Sequence, residues 1–196
     1  MSRVCVLFHR WGTTAWPWRT IWHMATALAY SRITRGVYDT KQFASTLGPF
    51  LRPGDIVMLN GDLGAGKTQF VQGVAQSLGV AANVVSPTFN IVLEYAGDEM
   101  PLYHFDLYRL ESRDELEDIG YWEILEGEGV SFIEWGSKFP QSAPLDYLEV
   151  RIEQRDYDMR TIICQAHGER ARRLLFLWSR DAGAQLDPYS DSKLRI

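Results

Sequence analysis

Residues 55–68 read DIVMLNGDLGAGKT, a short apolar run of strand length that feeds directly into a glycine-rich loop. Positions 61–68 satisfy the spacing G-x-x-x-x-G-K-[ST]. The chemistry of phosphate binding requires that spacing. Gly61, Gly64 and Gly66 free the loop of side chains. The backbone N–H groups of Gly61, Asp62, Leu63, Gly64, Ala65 and Gly66 can then turn inward on a phosphate, at the positive end of the helix that follows. Lys67 supplies a mobile point charge for the β- and γ-phosphates, and Thr68 offers a hydroxyl to Mg²⁺. From average residue usage, a chance match in a chain this long arises roughly 1% of the time. The context lowers that figure. An apolar strand precedes the loop, and a helix predicted over 67–78 follows it with Phe70, Val71, Val74 and Leu78 on one face, stopped by Gly79.

Working outward, helices and strands alternate. Residues 33–38 read as a short strand, and Asp39 with Gln42 as a capping box for a helix over 40–51. Beyond the loop, 89–95 and 101–107 are strand-like runs joined by a Gly97-Asp98 turn, and Ser112 with Glu115 opens an acidic helical stretch to about Leu125. Residues 129–135 form a buried-strand candidate, 146–154 and 159–166 alternate with period two as a hairpin, and 168–178 reads as a final helix. This order predicts an α/β fold of the P-loop type in three layers, a mixed, mainly parallel central sheet flanked by helices.

P-loop proteins use a further acidic group at a strand end to organise the magnesium. Asp106 closes one apolar strand and Glu134 closes another, and the spacing alone does not choose between them. SPTF, residues 86–89, reads either as plain loop punctuation or as a switch in which Thr88 senses the γ-phosphate through the metal.

The 196 residues carry a formal charge of −5, spread unevenly. Residues 1–38 hold five Arg and no acid, which leaves 15 basic against 25 acidic side chains in the remainder. A body that acidic is not a non-specific nucleic-acid binder, so contact with RNA is expected through a partner. Four of the seven Trp fall in the first 22 residues, without helix or strand periodicity. Transit-peptide composition and a true start at Met24 both account for this leader, whereas Arg19 and His23 interrupt any secretory signal. The expected organisation is an extension over 1–33, a P-loop ATPase domain over 34–179 and a polar tail over 180–196. Cys5 and Cys164 have no metal spacing and imply no disulfide framework. No stretch is long and apolar enough to span a bilayer, so a cytoplasmic location is expected.

NGDLGAGKT (60–68), SPTF (86–89), HFDLYRL (104–110) and IEW (133–135), in that order and at those spacings, resemble the TsaE (YjeE) family. These are bacterial P-loop ATPases required for threonylcarbamoyladenosine formation on tRNAs reading codons that begin with A. The resemblance covers about residues 34–168. It implies ATP and Mg²⁺ as cofactors, with Lys67 and Thr68 on the nucleotide and metal, Glu134 facing the metal, Asp106 needed for hydrolysis, Thr88 as the switch threonine, and Thr40 and Trp135 beside the nucleotide. It also implies partners, threonylcarbamoyl-transferase complex proteins of the TsaB and TsaD type, with tRNA reached through them and no membrane. Hydrolysis is expected to be slow alone and stimulated in that complex. The chain departs from the family in reading EWGS (134–137) where E-W-x-E is usual, so Ser137 replaces a second carboxylate. The eight carboxylates between Glu111 and Glu128 read as a solvated helix face or as a docking surface for a basic patch on those partners. Two other functions fit a P-loop of this size, a small-molecule kinase and a nucleotide sensor that does not hydrolyse. A kinase lid needs arginines where this chain is acidic.

Overall fold

A computed structural model describes residues 29–181, so most of the extension predicted over 1–33 and most of the predicted tail lie outside the described residues. Seven strands form one sheet in the order β1-β7-β6-β2-β5-β4-β3. They are β1 (Ala29–Arg35), β2 (Ile56–Asn60), β3 (Val92–Tyr95), β4 (Leu102–Asp106), β5 (Val130–Glu134), β6 (Tyr147–Gln154) and β7 (Met159–His167). The four central strands β6, β2, β5 and β4 run parallel, while β7 and β1 extend one side and β3 the other in antiparallel fashion. The helices are α1 (Gly36–Ser45), α2 (Lys67–Ser77), α3 (Asp114–Asp118), α4 (Tyr121–Leu125) and α5 (Glu169–Asp181).

Central strands covered on both faces account for the continuous apolar runs in the sequence. Along β2, Val57 and Leu59 face a core shared with Phe43 of α1, Phe70, Val71 and Val74 of α2, and Trp178 of α5. Met58 points the other way, to a core with Phe105, Ile133, Leu116 and Tyr121 beneath α3 and α4. Those two cores make the three layers. Trp178 anchors the larger one. It is fully buried, stacks on Phe43 at 4.9 Å between ring centroids, and donates its indole N–H to the Thr46 hydroxyl at 2.8 Å.

Three local expectations are corrected. The first helix begins at Gly36, four residues before the predicted start, and Asp39 sits in its first turn. Its carboxylate reaches back to accept the Arg35 N–H at 2.8 Å, so it satisfies the helix start from inside. The strand predicted over 33–38 correspondingly ends at Arg35. Of the predicted Ser112–Glu115 box only one half forms, Glu115 accepting the Ser112 N–H at 2.8 Å; the N-cap is Arg113 with no side-chain cap, and the acidic stretch is two short helices. Gly120, at φ 66°, breaks it. The strand predicted from 89 starts at Val92, because residues 86–91 form a turn that closes on the functional site.

Candidate functional site

Parallel pairing places the carboxyl ends of β2, β5 and β4 side by side at one edge of the sheet, the position where α/β folds gather their ligands. Leu59 pairs with Glu134, and Glu134 pairs with Asp106. The phosphate loop therefore begins next to one carboxylate, and the second carboxylate lies on the adjacent strand.

The loop needs its glycines. Gly61 has φ 146°, and a Cβ there would lie 2.4 Å from the Ile152 carbonyl oxygen of β6. Gly66 has φ 113° at the start of α2. Leu63 stands 83% exposed at the loop's tip, whereas Ala65 is buried beneath it. Lys67 is nearly buried, its Nζ donating to the carbonyls of Gly61 and Asp62 at 2.9 Å each and lying 4.2 Å from the centroid of the Trp135 ring. Burial pushes this ammonium below the ordinary lysine range, while Glu134, Asp106 and Asp62 pull the other way.

The Thr68 hydroxyl donates to Glu134 Oε1 at 2.7 Å, and His104 Nε2 stands 2.9 Å from the same oxygen. Since a carboxylate can only accept, Nε2 carries the hydrogen. Asp106 is engaged by the 86–89 turn. Its Oδ2 accepts from the hydroxyls of Thr88 at 2.5 Å and Ser86 at 3.0 Å, and its Oδ1 from the Tyr108 N–H at 3.1 Å. Ile91 closes the turn at φ 67°, an uncommon conformation for a β-branched residue, held by its N–H on the Pro87 carbonyl and its own carbonyl on the Asp106 N–H. Phe89 is 80% exposed, with the Arg109 guanidinium 4.2 Å from its ring centroid.

The structure thus brings Lys67, Thr68, Thr88, Asp106, Glu134 and Trp135 to one place. Trp135 adopts φ 63° immediately after β5, which turns its ring back over Lys67. Thr40 is placed differently. It is fully buried, its hydroxyl 3.0 Å from that of Thr34 and donating to the Gly36 carbonyl at 3.1 Å, so it joins α1 to β1. Ser137 is exposed and gives its N–H to Asn60 Oδ1 at 3.3 Å, tying the turn after Trp135 to the end of β2. The Asn60 amide in turn donates to Glu149, whose carboxylate also meets Arg151 and His167.

Two residues at the site were not found from sequence. His104 is fully buried and its Nδ1 has no hydrogen-bond partner among the described residues. It lies in HFDLYRL, where its spacing of two from Asp106 puts both on one side of β4. Arg160, on β7, donates from Nε to the Ala65 carbonyl at 3.2 Å. Its signal was an arginine in step with Ile162, Cys164 and Ala166, the inward positions of an alternating strand.

With that geometry in view, comparison with known proteins decides the family. The model of the threonylcarbamoyl adenosine biosynthesis protein TsaE matches residues 34–162. The chain belongs to the TsaE family. It is 43% identical over 132 residues to the tRNA threonylcarbamoyladenosine biosynthesis protein TsaE of Bacillus subtilis, covering 67% of this chain and 82% of that protein. It is 41% identical over 112 residues to the protein of the same description from Treponema pallidum, covering 57% of this chain and 82% of that one. The crystal structure of YdiB from Bacillus subtilis superposes with a TM-score of 0.69 at 34% identity, covering 80% of this chain and 97% of that one. TsaE membership and the P-loop fold make this a nucleotide-binding type of protein from the biosynthesis of tRNA threonylcarbamoyladenosine. Among the described residues no helix is long and apolar enough to cross a membrane.

Proposed function

We propose that this chain is a Mg²⁺-dependent ATPase that serves threonylcarbamoyladenosine formation on tRNA, working in the cytoplasm with the proteins that carry out the transfer. The observation that carries this reading is the arrangement around Thr68, whose hydroxyl meets Glu134 at 2.7 Å while Asp106 lies on the next strand in register. Thr68, Glu134 and Asp106 offer hard oxygen donors, the set that suits Mg²⁺ shared with nucleotide phosphates. Thr68, Glu134 and Asp106 would hold such an ion, which would supply positive charge against the phosphates during hydrolysis.

The chain's own residues do the rest. The loop N–H groups and the start of α2 receive the phosphates. The Lys67 ammonium, which spans two loop carbonyls at 2.9 Å, supplies the positive charge for the β- and γ-phosphates. Glu134 keeps the Thr68 hydroxyl oriented. Asp106 holds Thr88 and Ser86, so the turn that carries them reports on what occupies the site. Thr40, whose hydroxyl joins α1 to β1, is assigned a place beside the nucleotide by the family reading. Transfer of a threonylcarbamoyl group is left to partners of the TsaB and TsaD type, and tRNA is reached through them.

The test is ATP hydrolysis by the purified chain, alone and with its cognate transferase proteins and tRNA, beside Lys67→Ala. Slow turnover that rises with the partners and disappears in the variant supports the reading. Tight ATP binding with no turnover under any of these conditions points instead to a nucleotide sensor.

A further inference from the structure

Arg160 reaches the phosphate loop from β7, a strand that contributes no motif residue. It is only 9% exposed, yet among the described residues its guanidinium belongs to none of the ion pairs. Its hydrogen bonds go to two backbone carbonyls, Nε to Ala65 at 3.2 Å and Nη1 to Asp158 at 3.2 Å. A desolvated cation is ordinarily paired with a carboxylate, because two carbonyl dipoles compensate only part of its lost hydration. The other cation here, Lys67, is likewise nearly buried, and beside it lies a loop whose N–H groups are partial positive charges. The site therefore concentrates positive charge that the folded chain does not itself neutralise on the Arg160 side.

The contact with Ala65 has a second effect. In a trans peptide the C=O and the following N–H point in opposite directions. Fixing the Ala65 carbonyl on Arg160 therefore turns the Gly66 N–H to the side away from Arg160. Gly66 allows this at φ 113°, and a Cβ at that position would lie 3.7 Å from Arg160 Nε. A neutral donor would fix the peptide as well. The charge adds a pull on a polyanion that a neutral donor lacks.

We infer that Arg160 is a positioning residue of the phosphate cradle, which orients the Gly66 N–H through the Ala65 carbonyl and supplies charge that favours a polyphosphate. The inference rests on the nucleotide-binding reading above. It assigns to the β6–β7 hairpin a share in nucleotide affinity.

The experiment measures ATP and ADP binding to the full chain, with Mg²⁺ and with EDTA and at two salt concentrations, for wild type, Arg160→Lys, Arg160→Gln and Arg160→Met. Urea unfolding of the nucleotide-free proteins runs alongside. Loss of a charge-assisted contact predicts ATP binding weakened about tenfold or more in Arg160→Gln and further in Arg160→Met. Arg160→Lys should recover part of the affinity, and the salt dependence should be shallower in the two neutral variants than in wild type. A salt slope and a rescue by lysine are readouts that a purely structural arginine would not move. Folded Gln and Met variants that bind ATP within twofold of wild type would overturn the inference, as would equal losses in Gln and Lys with an unchanged salt slope. If the Met variant does not fold, the Gln and Lys pair decides. Absence of ATP binding by wild type would instead overturn the nucleotide reading, and this inference with it.

Discussion

Replacing His104 with leucine separates stability from function in a way that the geometry makes quantitative. Among the described residues, His104 gives one hydrogen bond, Nε2 to Glu134 at 2.9 Å, and leaves Nδ1 buried without a partner. Losing a hydrogen bond to a charged group costs about 1.5–3 kcal/mol, whereas removing an unsatisfied buried acceptor returns about 1–3 kcal/mol. The two nearly cancel. A buried aliphatic side chain of similar volume adds a shape mismatch of under about 1.5 kcal/mol. The net destabilisation expected for His104→Leu is therefore about 0–2 kcal/mol, which at this chain length lowers Tm by no more than about 8 °C. Glu134 meanwhile keeps Thr68 as its one remaining donor and is free to rotate. Misplacing a catalytic group by about 1 Å lowers turnover on the order of 100-fold. The assay pairs urea unfolding with single-turnover hydrolysis of Mg-ATP in the presence of the transferase partners. His104→Leu combined with Glu134→Gln should lose little beyond Glu134→Gln alone, because the histidine acts through that carboxylate. A stability loss above about 5 kcal/mol with normal turnover would refute the reasoning, since His104 would then be a core residue with a satisfied ring.

Three further outcomes are expected. Gly61→Ala forces a Cβ to within 2.4 Å of the Ile152 carbonyl at a backbone angle that disfavours any side chain, so it should lower the unfolding midpoint and abolish nucleotide binding together, checked by thermal melts with and without ATP. Because burial holds Lys67 below the ordinary lysine range, its charge is lost as pH rises through that lowered value; ATP affinity should fall on the alkaline side earlier than an exposed lysine would allow, measured as Kd against pH. Burial raises the Glu149 carboxyl, but hydrogen bonds from Arg151, Asn60 and His167 outweigh it and hold the group below its ordinary value. The stability Glu149 contributes is complete above the ordinary glutamate pKa and is lost as pH falls through the lowered one, so Glu149→Gln should flatten the acid limb of a stability-against-pH profile.

Much of this could be read from the residues because the local signals agreed with one another. The strand, loop and helix around GDLGAGKT each demand the others, and Asp106 and Glu134 announce themselves as acids closing apolar strands. What brings them together is register, and no single segment contains it. Pairing of Glu134 with both Leu59 and Asp106 shows that the two carboxylates are neighbours and that both face the loop. The start of α1 was misplaced because Asp39 looks like a cap in sequence; it bonds an N–H four residues back, a role that a cap and a first-turn acid share. Arg160 and His104 were hidden for a related reason. Each is a polar residue on an inward strand position, and its meaning depends on which loop or carboxylate the fold brings opposite.

Ile91 has a consequence for the direction in which the 86–91 turn moves. A β-branched residue held at φ 67° stores on the order of 1–3 kcal/mol. The backbone bonds of Ile91 to Pro87 and Asp106 hold that conformation, and a latch of three oxygens, the hydroxyls of Ser86 and Thr88 on Asp106, adds to the hold. Any event that draws the Thr88 hydroxyl elsewhere removes part of the latch while the stored energy remains, so the turn is loaded to open and not to tighten. Glycine at position 91 would unload it, leaving a segment that responds to the occupant of the site with less force and returns from it with less reluctance.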